Sequence, residues 1–250
     1  MANVEFDLVV GVDIAGEVYG EEFISLYEID IQSRVDKSSL GTIKLQLIDV
    51  GKVPSSGENF FYSLDNLTRE LGEFATLFSD TGVLLKKVEN AGTKVWRSQE
   101  LLSSGMYAII EEIDIKDAQK RGMGIGSAAI RRLFEIPKFQ MIDFIFVAPG
   151  LLTVYEDNPA GGLFAGYSPM EREGRQVRLN RVVRFYHKLG FRRLGNSKFL
   201  CLSRAPDHRS RSVAIQDDAE EKEPPPPQTE EEHMRYMLLT GLPYRPPVNP

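Results

Sequence analysis

Gly122, Gly124 and Gly126 stand at alternate positions, directly after Arg121 and at the start of the mainly apolar run that ends at Phe134. Ile113-Asp114-Ile115 lies just ahead of them. The stretch reads as a strand, a glycine turn and the start of a helix. The first amides of a helix have no partner inside it, and the helix dipole adds positive potential at the same end. A turn without side chains lets an anion come close to those amides. The chemistry this spacing suits is therefore phosphate binding, by the amides of Gly122, Met123, Gly124, Ile125, Gly126 and Ser127, with Arg121 adding charge. Two common phosphate loops do not fit. A Walker loop needs a lysine after its last glycine, and here Ser127-Ala128 follows. The dinucleotide fingerprint is G-x-G-x-x-G near the start of its fold, whereas this G-x-G-x-G lies mid-chain.

Upstream of the turn, Glu111 and Glu112 offer carboxylates suited to taking a proton. Adjacent strand residues point to opposite faces, so only one of the two is expected to enter a given cleft, and parity leaves open which. Downstream, Arg184-Phe-Tyr-His-Lys-Leu-Gly-Phe191 reads as an apolar helix face closed by a glycine and a folded-back phenylalanine, with Asn180 earlier on the same helix. Its Tyr186 is a phenol, which keeps its proton at neutral pH. His187 follows it on a helix and so points elsewhere; a structural role is expected. Cys201 has no basic neighbour to activate it and reads as a buried strand residue.

The elements that must position these groups follow from periodicity. Strands are expected over 4–14, 22–34, 40–50, 82–88, 107–115, 141–147 and 198–203. A helix is expected over 63–79, where Leu64, Leu67, Leu71, Phe74 and Phe78 form one stripe. Further helices are expected over 126–134, ending before Pro137, and over 177–189. Strand, helix and strand in succession around the glycine turn suggest a parallel crossover. Residues 149–176 read as a long loop. Beyond Arg204 lie nine of the 14 prolines, and nine acids face five bases. Residues 205–250 are expected to form a mostly disordered acidic tail, with a short helix near 230–239, after a domain spanning 1–204.

Composition narrows the function. The chain has 250 residues, 42% of them apolar, which is ordinary for a globular protein. A formal net charge of −6 gives no global basic field for nucleic acid. One cysteine rules out an internal disulfide, and three scattered histidines offer no clustered metal site. No secretory signal or bilayer-spanning run is expected, so the expected location is intracellular, cytoplasmic by default, with nothing in the sequence that separates cytosol from nucleus.

The glycine turn and the helix end, taken in order with an apolar strand between them, resemble the GNAT superfamily of N-acetyltransferases. Arg121-x-x-Gly124-x-Gly126 is similar to the family's Q/R-x-x-G-x-G/A element, and the helix end matches its closing motif. The likeness covers roughly residues 100–203. It implies a mixed α+β fold, with a mostly antiparallel twisted sheet, one splayed parallel pair and flanking helices. It implies acetyl-CoA as cosubstrate, with no metal, and an amine acceptor that attacks the thioester directly. Residues 121–127 would hold the pyrophosphate. Ile113 and Ile115 would offer backbone groups to the pantetheine, and Asn180 would hydrogen-bond that arm. Glu111 or Glu112 would act as base and Tyr186 would protonate the departing thiolate. The alternative is a GNAT-fold module that binds acetyl-CoA or a protein partner without catalysis. Several strands precede the first clear helix and the 149–176 loop is long, both departures from the family, so the likeness leaves the acceptor unspecified.

Overall fold

The computed structural model describes residues 5–13, 23–53, 59–150, 169–223, 227 and 229–240. They form a mixed α+β fold around a seven-stranded sheet of order β1-β2-β3-β4-β5-β7-β6. Strands β1 (Phe6–Asp13), β2 (Ile24–Ser33), β3 (Ser39–Asp49) and β4 (Met106–Ile115) pair antiparallel in sequence order. Between β3 and β4 the described residues include four helices, α1 (Phe60–Asp65), α2 (Arg69–Ala75), α3 (Lys86–Glu89) and α4 (Ser98–Ser104). The chain leaves β4 through α5 (Ile125–Leu133) and returns as β5 (Phe144–Val147), parallel to β4. Helix α6 (Pro169–Leu189) is followed by β6 (Arg192–Arg193) and β7 (Leu200–Ser203), the latter antiparallel to β5. Helix α7 (Glu230–Thr240) comes last. The sheet is thus mostly antiparallel with one parallel pair, as expected. Among the described residues no helix is long and apolar enough to cross a membrane.

Alternation along β4 sorts the interior into two cores. Ala108 and Ile110 face a core with Ile29, Ile43, Leu45, α5 and the end of α6. Tyr107 and Ile109 face a second core with α1, α2, Phe78, Phe146 and Phe199. Phe74 is the hub of the second core. Its ring meets Phe78, Tyr107, Phe146 and Phe199 at centroid distances of 4.8 to 6.3 Å. Phe74→Ala is expected to cost about 3–5 kcal/mol, read as a lower urea midpoint with an unchanged slope.

Several elements differ from the sequence reading. The expected helix over 63–79 is two helices, because the Thr68 side chain caps a new one, accepting from the Leu71 amide at 3.2 Å. The expected strand over 82–88 is a turn followed by α3. Val83-Leu84-Leu85 lacks alternation, and Leu84 reaches the core through a single bridge to Phe78. Helix α4 was not expected. β5 starts later than position 141, after a 3₁₀ turn at Pro137–Phe139 that buries Phe139. The loop expected over 149–176 lies largely outside the described residues, and α6 begins within it, at Pro169.

The domain's contacts also run past Arg204, where a solvated tail was expected. Arg209 donates through Nε to the Val95 carbonyl at 2.7 Å and pairs with Glu100. His208 stacks on Trp96, with centroids 5.1 Å apart. Arg192 donates to the Val213 carbonyl at 2.8 Å, and the Asp218 carboxylate accepts from the Arg193 amide at 3.0 Å. Composition counts charges; it does not show that each is spent on a defined partner. The short helix expected near 230–239 is α7, whose Arg235 lies over the Phe61 ring.

Candidate functional site

The site begins where the sheet opens. β4 pairs with β3 from Met106 to Ile115, but with β5 only from Tyr107 to Ile110. From Glu111 to Ile115 the strand has a neighbour on one side alone among the described residues, so backbone groups facing the β5 side have no ladder partner among them. At the start of this opening β4 carries a bulge. Ile110 opposes Leu45 and Glu112 opposes Lys44, which leaves Glu111 as the extra residue.

The bulge changes which way the carboxylates point. Lys44 and Gln46 share one face of β3. Lys44 binds Glu112 at 2.7 Å, and Gln46 Nε2 reaches Glu111 at 3.5 Å, the limit of a hydrogen bond. Glu111 and Glu112 therefore lie on the same face. The alternation expected from sequence is broken here, and Ile113 and Ile115 pack against the opposite core instead of sharing Glu111's side. Glu112 is neutralised by its lysine. Glu111 forms no ion pair among the described residues.

A third carboxylate, Glu70 on α2, lies within electrostatic reach of Glu111. Thr68 caps that helix and sets Glu70 in its first turn, where the helix dipole favours a negative charge. One turn on, Glu73 pairs with Arg69 and with Lys198. Glu70 has no ion pair of its own among the described residues. Burial pushes its pKa up, the Lys198 charge partly offsets this, and the charges of Glu111 and Glu73 push it up further. No sequence motif pointed to Glu70. The only local signal was the Thr68 cap, and its neighbours are far away in the chain.

Tyr186 approaches from the other face. It is 7% exposed, packed edge-on to Phe185 and Phe191 in the first core. Its hydroxyl makes no hydrogen bond to the described residues. Burial, and then the charge of Glu70, raise its pKa, so the phenol holds its proton firmly. Glu70 stands on the helix layer over one core and Tyr186 sits in the other.

The glycine turn lies at the far end of β4. Gly124 is the N-cap of α5 at φ +86°, and Gly122 is also left-handed at φ +80°. Among the described residues, the amides of Gly122, Gly124, Ile125, Gly126 and Ser127 are spent on no acceptor. Side chains added at Gly122 or Gly124 would meet nothing within 4 Å, so the concave side is open. Gly126 packs closer, with the Phe185 ring 3.6 Å from its would-be Cβ. Arg121 donates to the Ile115 carbonyl at 2.9 Å and lies 3.6 Å from Asp114, which ties the turn to the strand end. Met123 is exposed. The open amides and the unpaired β4 edge are continuous, which suits a long molecule with an anionic end.

Asn180 is not brought to this site. It accepts from Gln176 at 2.9 Å and lines a separate cleft with His187 and Asp218. Helical rotation accounts for this, since Asn180 and Phe185 are five residues apart and so lie far around the helix. His187 sits 3.0 Å from the buried Asp218 carboxylate and clamps the 215–221 segment to α6. Cys201 is fully buried, which raises its thiol pKa well above the ordinary value. Compared with known proteins, the chain matches no family model, no curated protein and no solved structure.

Proposed function

We propose that the chain is an acetyl-CoA-dependent N-acetyltransferase. The observation that carries the reading is the continuity of five unspent amides at the glycine turn with the unpaired edge of β4, ending at unpaired carboxylates and a buried phenol. In this reading the pyrophosphate meets the amides of Gly122 and of 124–127, with Arg121 beside it. The pantetheine pairs with the free edge of β4 along Ile113 and Ile115. Asn180 has no part in the grip.

The chemistry follows from what the opening contains. An alkylammonium gives one proton to a carboxylate and becomes a neutral amine. Its lone pair forms a bond to the thioester carbon, and the carbonyl electrons move onto oxygen. As they return, the C–S bond breaks, and the remaining excess proton on nitrogen passes to the sulfur. The products are an amide, CoA thiol and a protonated carboxylate. The raised pKa of Tyr186 makes full transfer of its own proton to sulfur uphill, so its role is to hydrogen-bond the leaving thiolate. Glu111 is the carboxylate of β4 free to act, since Glu112 is held by Lys44.

The test is release of free CoA from acetyl-CoA across a chemically diverse amine panel, together with the melting temperature. Acetyl-CoA should raise that temperature in a concentration-dependent way. Stabilisation without CoA release from any amine would favour a binding module instead. No stabilisation would remove both readings.

A further inference from the structure

Arginine recurs at every third position along α6, at Arg172, Arg175, Arg178, Arg181 and Arg184, and Lys188 follows. No aspartate or glutamate lies between Gly174 and Leu189. At about 100° per residue, Arg178, Arg181, Arg184 and Lys188 share an arc of about 120° on one side of the helix. All four residues are exposed. None of the four makes an ion pair or a hydrogen bond among the described residues. Elsewhere in the fold such cations are spent: Lys44 on Glu112, Arg192 on the Val213 carbonyl and Arg209 on Glu100. The acids that lie beside α6 do not supply the counter-charge. Asp218, Glu220 and Glu221 line the cleft with Asn180, Val183 and His187, on the opposite side of the helix. Like charges one turn apart repel, so the row is unfavourable until an anion meets it.

We infer that the arginine row of α6 is a docking surface for the backbone of a double-stranded nucleic acid, bound without regard to base sequence. What stands among the cations decides the partner. Phe185 lies inside the arc, but it packs on the first core and beside Gly126, so it offers no free ring to stack on an unpaired base. Val177 is the one exposed large apolar residue of α6 among the described residues, and a protein interface needs buried aromatic or aliphatic anchors at its centre. Charge alone is left. Side chains at i and i+3 stand about 5–6 Å apart at their Cβ atoms, and an arginine fork binds phosphate oxygens in pairs. A row of such forks suits the repeating phosphates of a duplex. The core side of α6 is packed, so the helix lies along the backbone and does not enter a groove. The net charge of −6 gives no global field, and the row acts locally. The inference uses neither the glycine turn nor the β4–β5 opening, and it does not depend on the acetyltransferase reading.

The experiment is fluorescence anisotropy of a short labelled duplex, as DNA and as RNA, between about 50 and 200 mM salt. Four phosphate contacts predict that the logarithm of the affinity falls against that of salt with a slope of about −3.6. DNA and RNA duplexes should bind alike. The double variant Arg181→Gln/Arg184→Gln should bind about 10-fold or more weakly at the lower salt, with the slope reduced to about −1.8. Lys222→Gln removes one exposed positive charge away from α6 and should leave binding unchanged, which separates the row from net charge. The substituted residues are exposed and unpaired, so the melting temperatures should match the wild type, as should the stabilisation by acetyl-CoA. Absence of duplex binding at the lower salt, an unchanged slope in the double variant, or an equal loss in Lys222→Gln would overturn the inference. Equally tight binding of polyglutamate would overturn it in favour of an acidic protein. Loss of acetyl-CoA stabilisation in the double variant, without duplex binding by the wild type, would assign the row to the cosubstrate's phosphates instead.

Discussion

A chain ending at Arg204 is expected not to fold, whereas one ending at Glu223 is expected to fold and to lose only a small part of its stability. The segment between is fastened at three places. Arg209 binds the Val95 carbonyl and Glu100, and His208 covers the Trp96 ring. Val213 accepts from Arg192, and Arg211 donates back to the Leu189 and Ser203 carbonyls. Asp218 accepts from the Arg193 amide and faces His187. Arg192 and Arg193 are 6% and 5% exposed, so they depend on these acceptors. A hydrogen bond to a charged group contributes about 1.5–3 kcal/mol. Three such anchors amount to a large share of the roughly 5–15 kcal/mol that holds a domain folded. Removing α7 costs less, since none of its residues is fully buried and its contacts include the exposed Lys87–Glu232 pair. Near-UV circular dichroism and urea midpoints of the two truncations check this. Equal midpoints would mean that 205–223 contributes nothing.

This segment also shows where sequence reasoning fails. Its acids, together with the prolines that follow it from Pro224, match the composition of a solvated tail. What composition cannot show is that Asp218 faces a specific backbone amide and that Arg209 reaches a carbonyl 114 residues away. The crossover β4–α5–β5 was legible because its signals are local: an apolar strand, a glycine N-cap and a proline after the helix. The direction of Glu111 was not legible. It depends on one extra residue in β4 against β3, and that register is set by a pairing 65 residues distant in sequence. Glu70 was hidden for the same reason, since its neighbours Glu111, Tyr186 and Lys198 come from three other parts of the chain. Asn180 shows the opposite error. A position on the right helix was assigned to the site without the rotation that carries it to another cleft.

Gly124→Glu is expected to lower acetyl-CoA affinity about 1,000-fold while leaving the protein folded. The backbone cost is limited. A non-glycine residue at φ +86° is strained by about 1–2 kcal/mol, and the new Cβ meets nothing within 4 Å. For a chain of this size that is a melting-temperature loss of roughly 2–8 °C. The electrostatic cost is larger. A carboxylate held about 4 Å from a phosphate charge repels it by about 4 kcal/mol at the effective dielectric of a protein surface, and each 1.4 kcal/mol is about tenfold in affinity. It also competes for the same amides. Gly124→Ala separates the two effects, because it shares the backbone strain and adds no charge. The difference between the variants, measured by calorimetry with CoA and with pantetheine, isolates the anion. CoA binding should fall far more in Gly124→Glu than in Gly124→Ala, and pantetheine, which has no pyrophosphate, should bind both alike. If Gly124→Glu binds CoA as tightly as the wild type, the turn does not hold the pyrophosphate and the acetyltransferase reading loses its support.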